Sequence, residues 1–245
     1  MKISVVGLGW FGEALAYKLK SKHEMLGTTR SPEKILALGN QNIYAEKLSL
    51  SSKPSEKILS SNVIVLNIPP FQNQLAWLTS WQWDKTAHVI FVSSTSVYGN
   101  LTGPVDESTI PIPDTENAKI LAEEESWISS FPFYTIVRFG GLIGANRHPG
   151  KILSGRKDIG GGNLPVNLIH LNDCVGFVER VIDQKLCGET FNLVYPDHPS
   201  RKAYYQDYCL KHNLPLPEFL DSSENGKIIS NVKAGQHYKC SWPLS

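Results

Sequence analysis

The segment Ile3-Ser4-Val5-Val6-Gly7-Leu8-Gly9-Trp10-Phe11-Gly12 sets a short apolar run directly before three glycines in G-x-G-x-x-G spacing. Nothing else in the chain constrains its folding as strongly. The first glycine lets the chain turn sharply out of a buried strand, the second lets backbone approach a pyrophosphate, and the third lets the next helix pack closely on the strand. That helix presents free backbone N–H groups to phosphates, and Glu13 to Lys20 supplies it, with Leu15 and Leu19 on one face. Glycines can also simply make a tight turn; the strand before and the helix after are what point to a dinucleotide. Gly7, Gly9, Trp10, Phe11 and Gly12 are therefore candidate cofactor-binding residues.

Further along, apolar strand-like runs alternate with amphipathic helical ones: Ile3 to Val6, Met25 to Thr29, Val63 to Ile68, His88 to Ser93 and Tyr134 to Arg138. Alternation of this kind predicts an α/β fold, a Rossmann-type doubly wound parallel sheet with helices on both faces. Val63-Ile64-Val65-Leu66 and Val89-Ile90-Phe91-Val92 lack a polar face, as strands covered on both sides do, so both belong in the sheet centre. Asn40 to Tyr44 reads as one more short strand. A chain of 245 residues can form one structural domain of this type. Residues 1–142 read as the nucleotide-binding core, and residues 143–245 as the remaining core strands plus a small C-terminal substrate-side lobe, which is richer in Pro, Tyr and polar residues from Tyr195 and helical near Ala203 to His212.

Charge is nearly balanced, 24 Lys and Arg against 23 Asp and Glu, with no basic run or aromatic-interleaved basic stripe. Such a surface argues for a small-molecule substrate and against nucleic acid. Cys174, Cys187, Cys209 and Cys240 are too far apart for a C-x-x-C pair, and the scattered His148, His170 and His198 complete no ligand set, so no metal is expected. The N-terminal apolar run is broken by Gly7, Gly9, Gly12 and Glu13, unlike a signal peptide, and no run approaches a membrane span. A cytoplasmic protein with reduced thiols is expected.

The end of the second strand, Gly27-Thr28-Thr29-Arg30-Ser31-Pro32, chooses the cofactor. In a dinucleotide-binding fold an acid here would hydrogen-bond the ribose hydroxyls, whereas an Arg accommodates a 2′-phosphate. No acid is present and Arg30 is, so NADP is expected rather than NAD, with the Thr29 and Ser31 hydroxyls as further donors. The same residues also read as a helix start, with Ser31 as N-cap, Pro32 at the first helical position and Arg30 solvated. The two readings are compatible.

At Phe91-Val92-Ser93-Ser94-Thr95-Ser96-Val97-Tyr98-Gly99 the chain resembles the extended short-chain dehydrogenase/reductase superfamily, of the sugar-nucleotide epimerase and dehydratase type. The resemblance continues through Asp106-Glu107, Pro111-Ile112-Pro113, Arg138 to Gly144, Asn167 to Asp173 and Glu189 to Leu193. The Thr28-Thr29-Arg30 site and Asn67-Ile68-Pro69-Pro70 look most like atypical members, described as NAD-dependent epimerase/dehydratase-like, and the resemblance adds Asn67, Ile68 and Pro69 to the cofactor residues. It implies a catalytic hydroxyl at Ser94, four residues before Tyr98, to hold a substrate oxygen; the run Ser93 to Ser96 also reads as a hydroxyl-rich turn closing a strand. The family's Tyr-x-x-x-Lys motif then matches only in its lysine, Lys119, which the resemblance places on the nicotinamide ribose, while Thr115 stands where the tyrosine belongs. An aliphatic hydroxyl cannot be tuned to carry a proton near neutral pH. Tyr98 is then the nearest candidate for the missing acid.

Two functions stay open: an NAD(P)-dependent oxidoreductase or epimerase acting on a small hydroxyl or carbonyl substrate with non-standard acid/base residues, or a catalytically silent NADP-binding sensor or partner-binding module. The resemblance also implies a homodimer through helices at Asn73 to Trp83 and Thr115 to Ser129, for which Trp77, Trp81, Leu121 and Trp127 are apolar residues available unless they are buried against the chain's own sheet.

Overall fold

A computed structural model describes residues 1–144, 147–221 and 223–242. The chain runs β1 (Lys2–Val6), α1 (Trp10–Leu19), β2 (Glu24–Thr29), α2 (Pro32–Gly39), β3 (Tyr44–Lys47), α3 (Glu56–Leu59), β4 (Val63–Leu66), α4 (Gln74–Thr79) and β5 (His88–Ser94). A 3₁₀ turn (Thr95–Tyr98) follows, then β6 (Gly103–Val105), α5 (Glu116–Ile128), β7 (Tyr134–Phe139), β8 (Gly141–Ile143), α6 (Pro149–Leu153), β9 (Leu168–His170), α7 (Leu171–Gln184), β10 (Glu189–Leu193), α8 (Arg201–Lys211), β11 (Lys227–Ile229) and α9 (Val232–Gly235).

Seven strands form one parallel sheet in the order β10-β7-β5-β4-β1-β2-β3, so the chain winds outward through β2 and β3 and then crosses back over β1 to β4. The order reverses between β1 and β4, and in open α/β sheets the ligand crevice lies at the carboxyl ends of the strands at that reversal. Every residue of β4 is buried because helices cover both faces. Adjacent residues point to opposite faces: Val5, Val65, Ile90 and Val137 join one core with α1 and α7, while Val6, Ile64, Phe91 and Ile136 join a second with α4 and α5. Two-stranded pairs β6/β11 and β8/β9 lie outside the sheet. A small apolar cluster of Ile143, Val166, Leu168, Tyr204 and Tyr205 ties β8 and β9 to α8 in the C-terminal lobe.

Three local expectations differ from what forms. The third strand is Tyr44–Lys47, later than the expected Asn40 to Tyr44, because Asn40 caps α2 and Asn42 takes a left-handed φ of +59°, so these residues close the helix. The helix expected over Asn73 to Trp83 stops at Thr79. The tryptophans expected to offer a dimer face instead pack on one another. Trp77 meets Trp81 at 4.6 Å, Trp81 stacks on Trp83 at 5.3 Å, and Trp83 meets Trp127 edge-on at 5.5 Å, which closes the seam between α4 and α5. Trp81 and Leu121 are buried, whereas Trp77 and Trp127 are partly buried.

One buried ion pair ties α5 to the sheet. Arg138 on β7 donates from Nη2 to Glu125 Oε2 at 2.6 Å and from Nε to Glu125 Oε1 at 3.0 Å, and the Ser93 hydroxyl donates to Glu125 Oε1 at 2.6 Å. Arg138 Nη1 also donates to the Tyr98 hydroxyl at 2.6 Å. Removing one partner strands a buried charge. Arg138→Met should therefore cost about 3–5 kcal/mol in chemical denaturation, with much of the loss recovered when Glu125→Leu is added.

The neighbouring Glu124 is fully buried, yet neither carboxyl oxygen has a hydrogen-bond partner. Burial, with the charge of Glu123 adding to it, pushes this carboxyl up to about 8 from about 4.5. Between those values the folded chain holds a proton that the unfolded chain releases, so this group's contribution to stability falls as pH rises through that window. Glu124→Gln should flatten the fall when urea midpoints are compared at about pH 5 and about pH 8.

Candidate cofactor cavity

The three glycines of the first turn have different physical jobs. Gly7 has φ +106°, and a Cβ there would lie 2.2 Å from the Asn67 carbonyl oxygen, so the turn after β1 and the segment after β4 can touch only through a glycine. The contact is fastened from both sides: Asn67 Nδ2 donates to the Gly7 oxygen at 2.9 Å, and the Gly7 N–H donates to the Thr28 hydroxyl at 3.1 Å. A Cβ on Gly12 would meet the Gly7 oxygen at 2.3 Å, which is the close helix-to-strand packing that the spacing predicts. Gly9, the N-cap residue of α1, has nothing within 4 Å of its would-be Cβ. It faces open space.

That space is a cavity of about 710 Å³ at the switch between β1 and β4. Gly7, Gly9, Trp10 and Phe11 line it from the first turn, Thr29, Arg30 and Ser31 from the end of β2, Asn67, Ile68 and Pro69 from the end of β4, and Ser94 from the end of β5. The sequence did not single out Lys34, the Leu48 to Leu50 segment, Phe71, Leu142 or Arg147, which also line it. Lys34 lies on α2 and Leu142 on β8, while Leu48 to Leu50, Phe71 and Arg147 lie outside the named elements. The charge of the lining is one-sided: Arg30, Lys34 and Arg147 are cationic and no Asp or Glu takes part. Lys34 is committed to Glu13 at 2.5 Å, whereas Arg30 and Arg147 form no ion pair among the described residues. Ser31 does cap α2, accepting from the Lys34 N–H at 3.2 Å, and its hydroxyl donates to Glu33 at 2.6 Å.

The residues expected to carry chemistry are dispersed. Ser94 is half-buried at the cavity wall; its Oγ accepts the Ser96 N–H at 3.1 Å, which leaves its own proton available for a ligand oxygen. Tyr98 does not line the cavity. It is fully buried, with its hydroxyl against Arg138, the Asp106 carbonyl oxygen at 2.9 Å and the Asn192 side chain at 2.9 Å, and burial raises its pKa further. A phenol so enclosed cannot hand a proton to a substrate in the crevice, which corrects the expectation that it replaces the missing acid. Lys119 lies on α5 with its ammonium on Glu116 at 2.7 Å, half exposed and outside the cavity lining, in place of the expected ribose contact. Thr115 is the N-cap of α5, its hydroxyl accepting the Ala118 N–H at 3.2 Å. His170 caps α7 and stacks on Trp242, and Asp173 is buried, accepting from Tyr238, Ser241 and Trp242, so both are structural. Among the described residues no group of three or more His, Cys, Asp or Glu is placed to hold a metal ion, and no helix is long and apolar enough to cross a membrane.

The architecture recurs in solved enzymes. UDP-glucuronic acid 4-epimerase from Bacillus cereus in complex with NAD superposes with a TM-score of 0.77 at 19% identity, over 100% of this chain and 93% of that one. dTDP-glucose 4,6-dehydratase from Bacillus anthracis, also with NAD, gives 0.78 at 15% identity, over 99% of this chain and 92% of that one. The fold is that of the NAD-dependent epimerases and dehydratases. Protein YeeZ of Escherichia coli K12 is 29% identical over 92% of this chain and 89% of its own length. No protein-family model matches the chain.

Within this epimerase/dehydratase fold, Gly7 and Gly9 separate folding from binding. Gly7→Ala should cost at least about 2 kcal/mol, since it combines a backbone overlap with an unfavourable positive φ. Gly9→Ala should leave the thermal midpoint near wild type while narrowing the cavity, so that nucleotide affinity falls. Denaturation and calorimetric titration of both variants check the division.

Proposed function

We propose that this chain binds NADP(H) and belongs functionally with the short-chain dehydrogenases/reductases, as an oxidoreductase or epimerase acting on a small hydroxyl or carbonyl substrate. The observation that carries the cofactor reading is the lining of the cavity at the β1/β4 switch: three cations, no carboxylate, and Arg30 where an NAD-type site would place an acid. A pyrophosphate finds free N–H groups at the start of α1, and a 2′-phosphate finds a guanidinium without a competing carboxylate. The epimerase and dehydratase that share the fold were solved with NAD, which supports a dinucleotide in this crevice.

The cofactor supplies the hydride chemistry; the chain's own residues bind and orient. Ser94, its oxygen already accepting a backbone N–H, is poised to donate to a substrate carbonyl oxygen. Ser93, beside it, also lines the cavity, but its hydroxyl is committed to the buried Glu125 carboxylate. One observation favours a second reading, a dinucleotide-binding sensor without turnover. With Tyr98 sealed in the core and Thr115 capping a helix, the ionisable side chains of the lining are two arginines and a lysine, none of which is an acid working near neutral pH.

NADPH should bind more tightly than NADH, and Arg30→Ala should erase most of the difference; equal wild-type affinities by calorimetry would overturn the 2′-phosphate assignment. For turnover, Ser94→Ala should lower kcat on a carbonyl substrate by roughly a hundredfold or more while NADPH affinity stays near wild type. If NADPH binds and no carbonyl or hydroxyl substrate is turned over, the sensor reading stands.

A further inference from the structure

Arg147 belongs to neither the glycine turn nor the β2 site, yet it lines the same cavity. Its backbone is pinned immediately after β8: the Gly144 N–H donates to the Arg147 oxygen at 3.0 Å and the Arg147 N–H donates to the Gly144 oxygen at 2.7 Å, forming an antiparallel bridge between these two residues. Gly144 makes that bridge possible. It has φ +145°, and a Cβ there would press on the His170 ring and Leu171 at 3.2 Å. Gly144 is therefore seated on the start of α7, and Arg147 lines the crevice. The guanidinium carbon lies 5.1 Å from the centre of the Trp10 ring. Trp10 is the first residue of α1, where backbone N–H groups lack intrahelical partners.

We propose that Arg147 is a cofactor-positioning residue that binds the pyrophosphate of the dinucleotide beside the start of α1, with Trp10 as the platform that holds its guanidinium over the phosphate site. This inference rests on the dinucleotide reading given above. Three features converge on it. Both residues line the cavity; Arg147 is exposed and has no carboxylate partner among the described residues, so its charge is uncompensated; and the indole face fixes a planar cation while leaving its N–H edge free for an anion. An arginine held this way contacts phosphate oxygens in pairs, which a lysine cannot reproduce. It also makes the segment after β8, which belongs to the C-terminal lobe side, part of the nucleotide site. Arg147 then serves the pyrophosphate and Arg30 the 2′-phosphate, and the two roles can be separated by ligand.

The test is calorimetric titration of wild type, Arg147→Ala, Arg147→Lys and Arg30→Ala with NADPH, ADP and 2′-AMP, the last of which has no pyrophosphate. Arg147→Ala should weaken NADPH and ADP alike by roughly tenfold or more, leave 2′-AMP unchanged and leave the thermal midpoint of the free protein near wild type. Arg147→Lys should recover only part of the loss. Arg30→Ala should show the complementary pattern, weakening NADPH and 2′-AMP and sparing ADP. If wild type binds none of the three, the dinucleotide reading falls and this inference with it. If wild type binds and Arg147→Ala matches it, or if Arg147→Ala weakens 2′-AMP as much as ADP, the pyrophosphate role is overturned while the dinucleotide reading stands.

Discussion

The contact between Gly7 and Asn67 is the constraint on which the rest of the site depends. The sheet order reverses between β1 and β4, so the segments leaving these two strands run side by side before diverging to opposite faces. They approach so closely that the Gly7 side chain must be absent, and the Asn67 amide then spans the gap to the Gly7 oxygen. Above this weld the two segments part, and the space between them is the cavity. A larger residue at position 7 would push the two strand ends apart and disturb both the crevice and the start of α1.

Below the cavity the fold is rigid for a different reason. The Glu125–Arg138 pair is enclosed by the sheet and α5; it reaches the crevice through Ser93 and the closed core through Tyr98. A buried ion pair gains little net stability over an apolar substitute of the same shape, but it penalises any arrangement that separates its members. Here it fixes the rotation of α5 about its own axis. That rotation directs Leu121 into the cavity wall and leaves Lys119 outside, paired with Glu116.

The consequence for chemistry is a division between two ends of one crevice. The end formed by the first turn and the ends of β2 and β4 gathers free N–H groups, hydroxyls and guanidinium groups, with no carboxylate in the lining. At the other end Ser94 lines the cavity, while Thr115 caps α5 and Tyr98 is locked between Arg138, Asp106 and Asn192.

The sequence by itself determined the elements whose signals are local. Glycine spacing fixed the turn after β1, apolar runs without a polar face located β4 and β5, and Ser31-Pro32 marked the start of α2, because strand burial, turn conformation and capping are decided by residues a few positions apart. The candidate cofactor residues of the first turn and the β2 end could be named for the same reason, those of the β4 end and Lys119 only through the resemblance, and all but Gly12 and Lys119 line the cavity. The fate of side chains that look alike in sequence was decided only by tertiary structure. Whether Trp81 faces a partner or its own neighbours, whether Tyr98 opens to the crevice or seals into the core, and whether Arg147 meets Trp10 depend on how α4, α5 and the turn after β8 pack across tens of residues. No short-range pattern encodes those contacts, since burial and pairing are properties of the assembled chain.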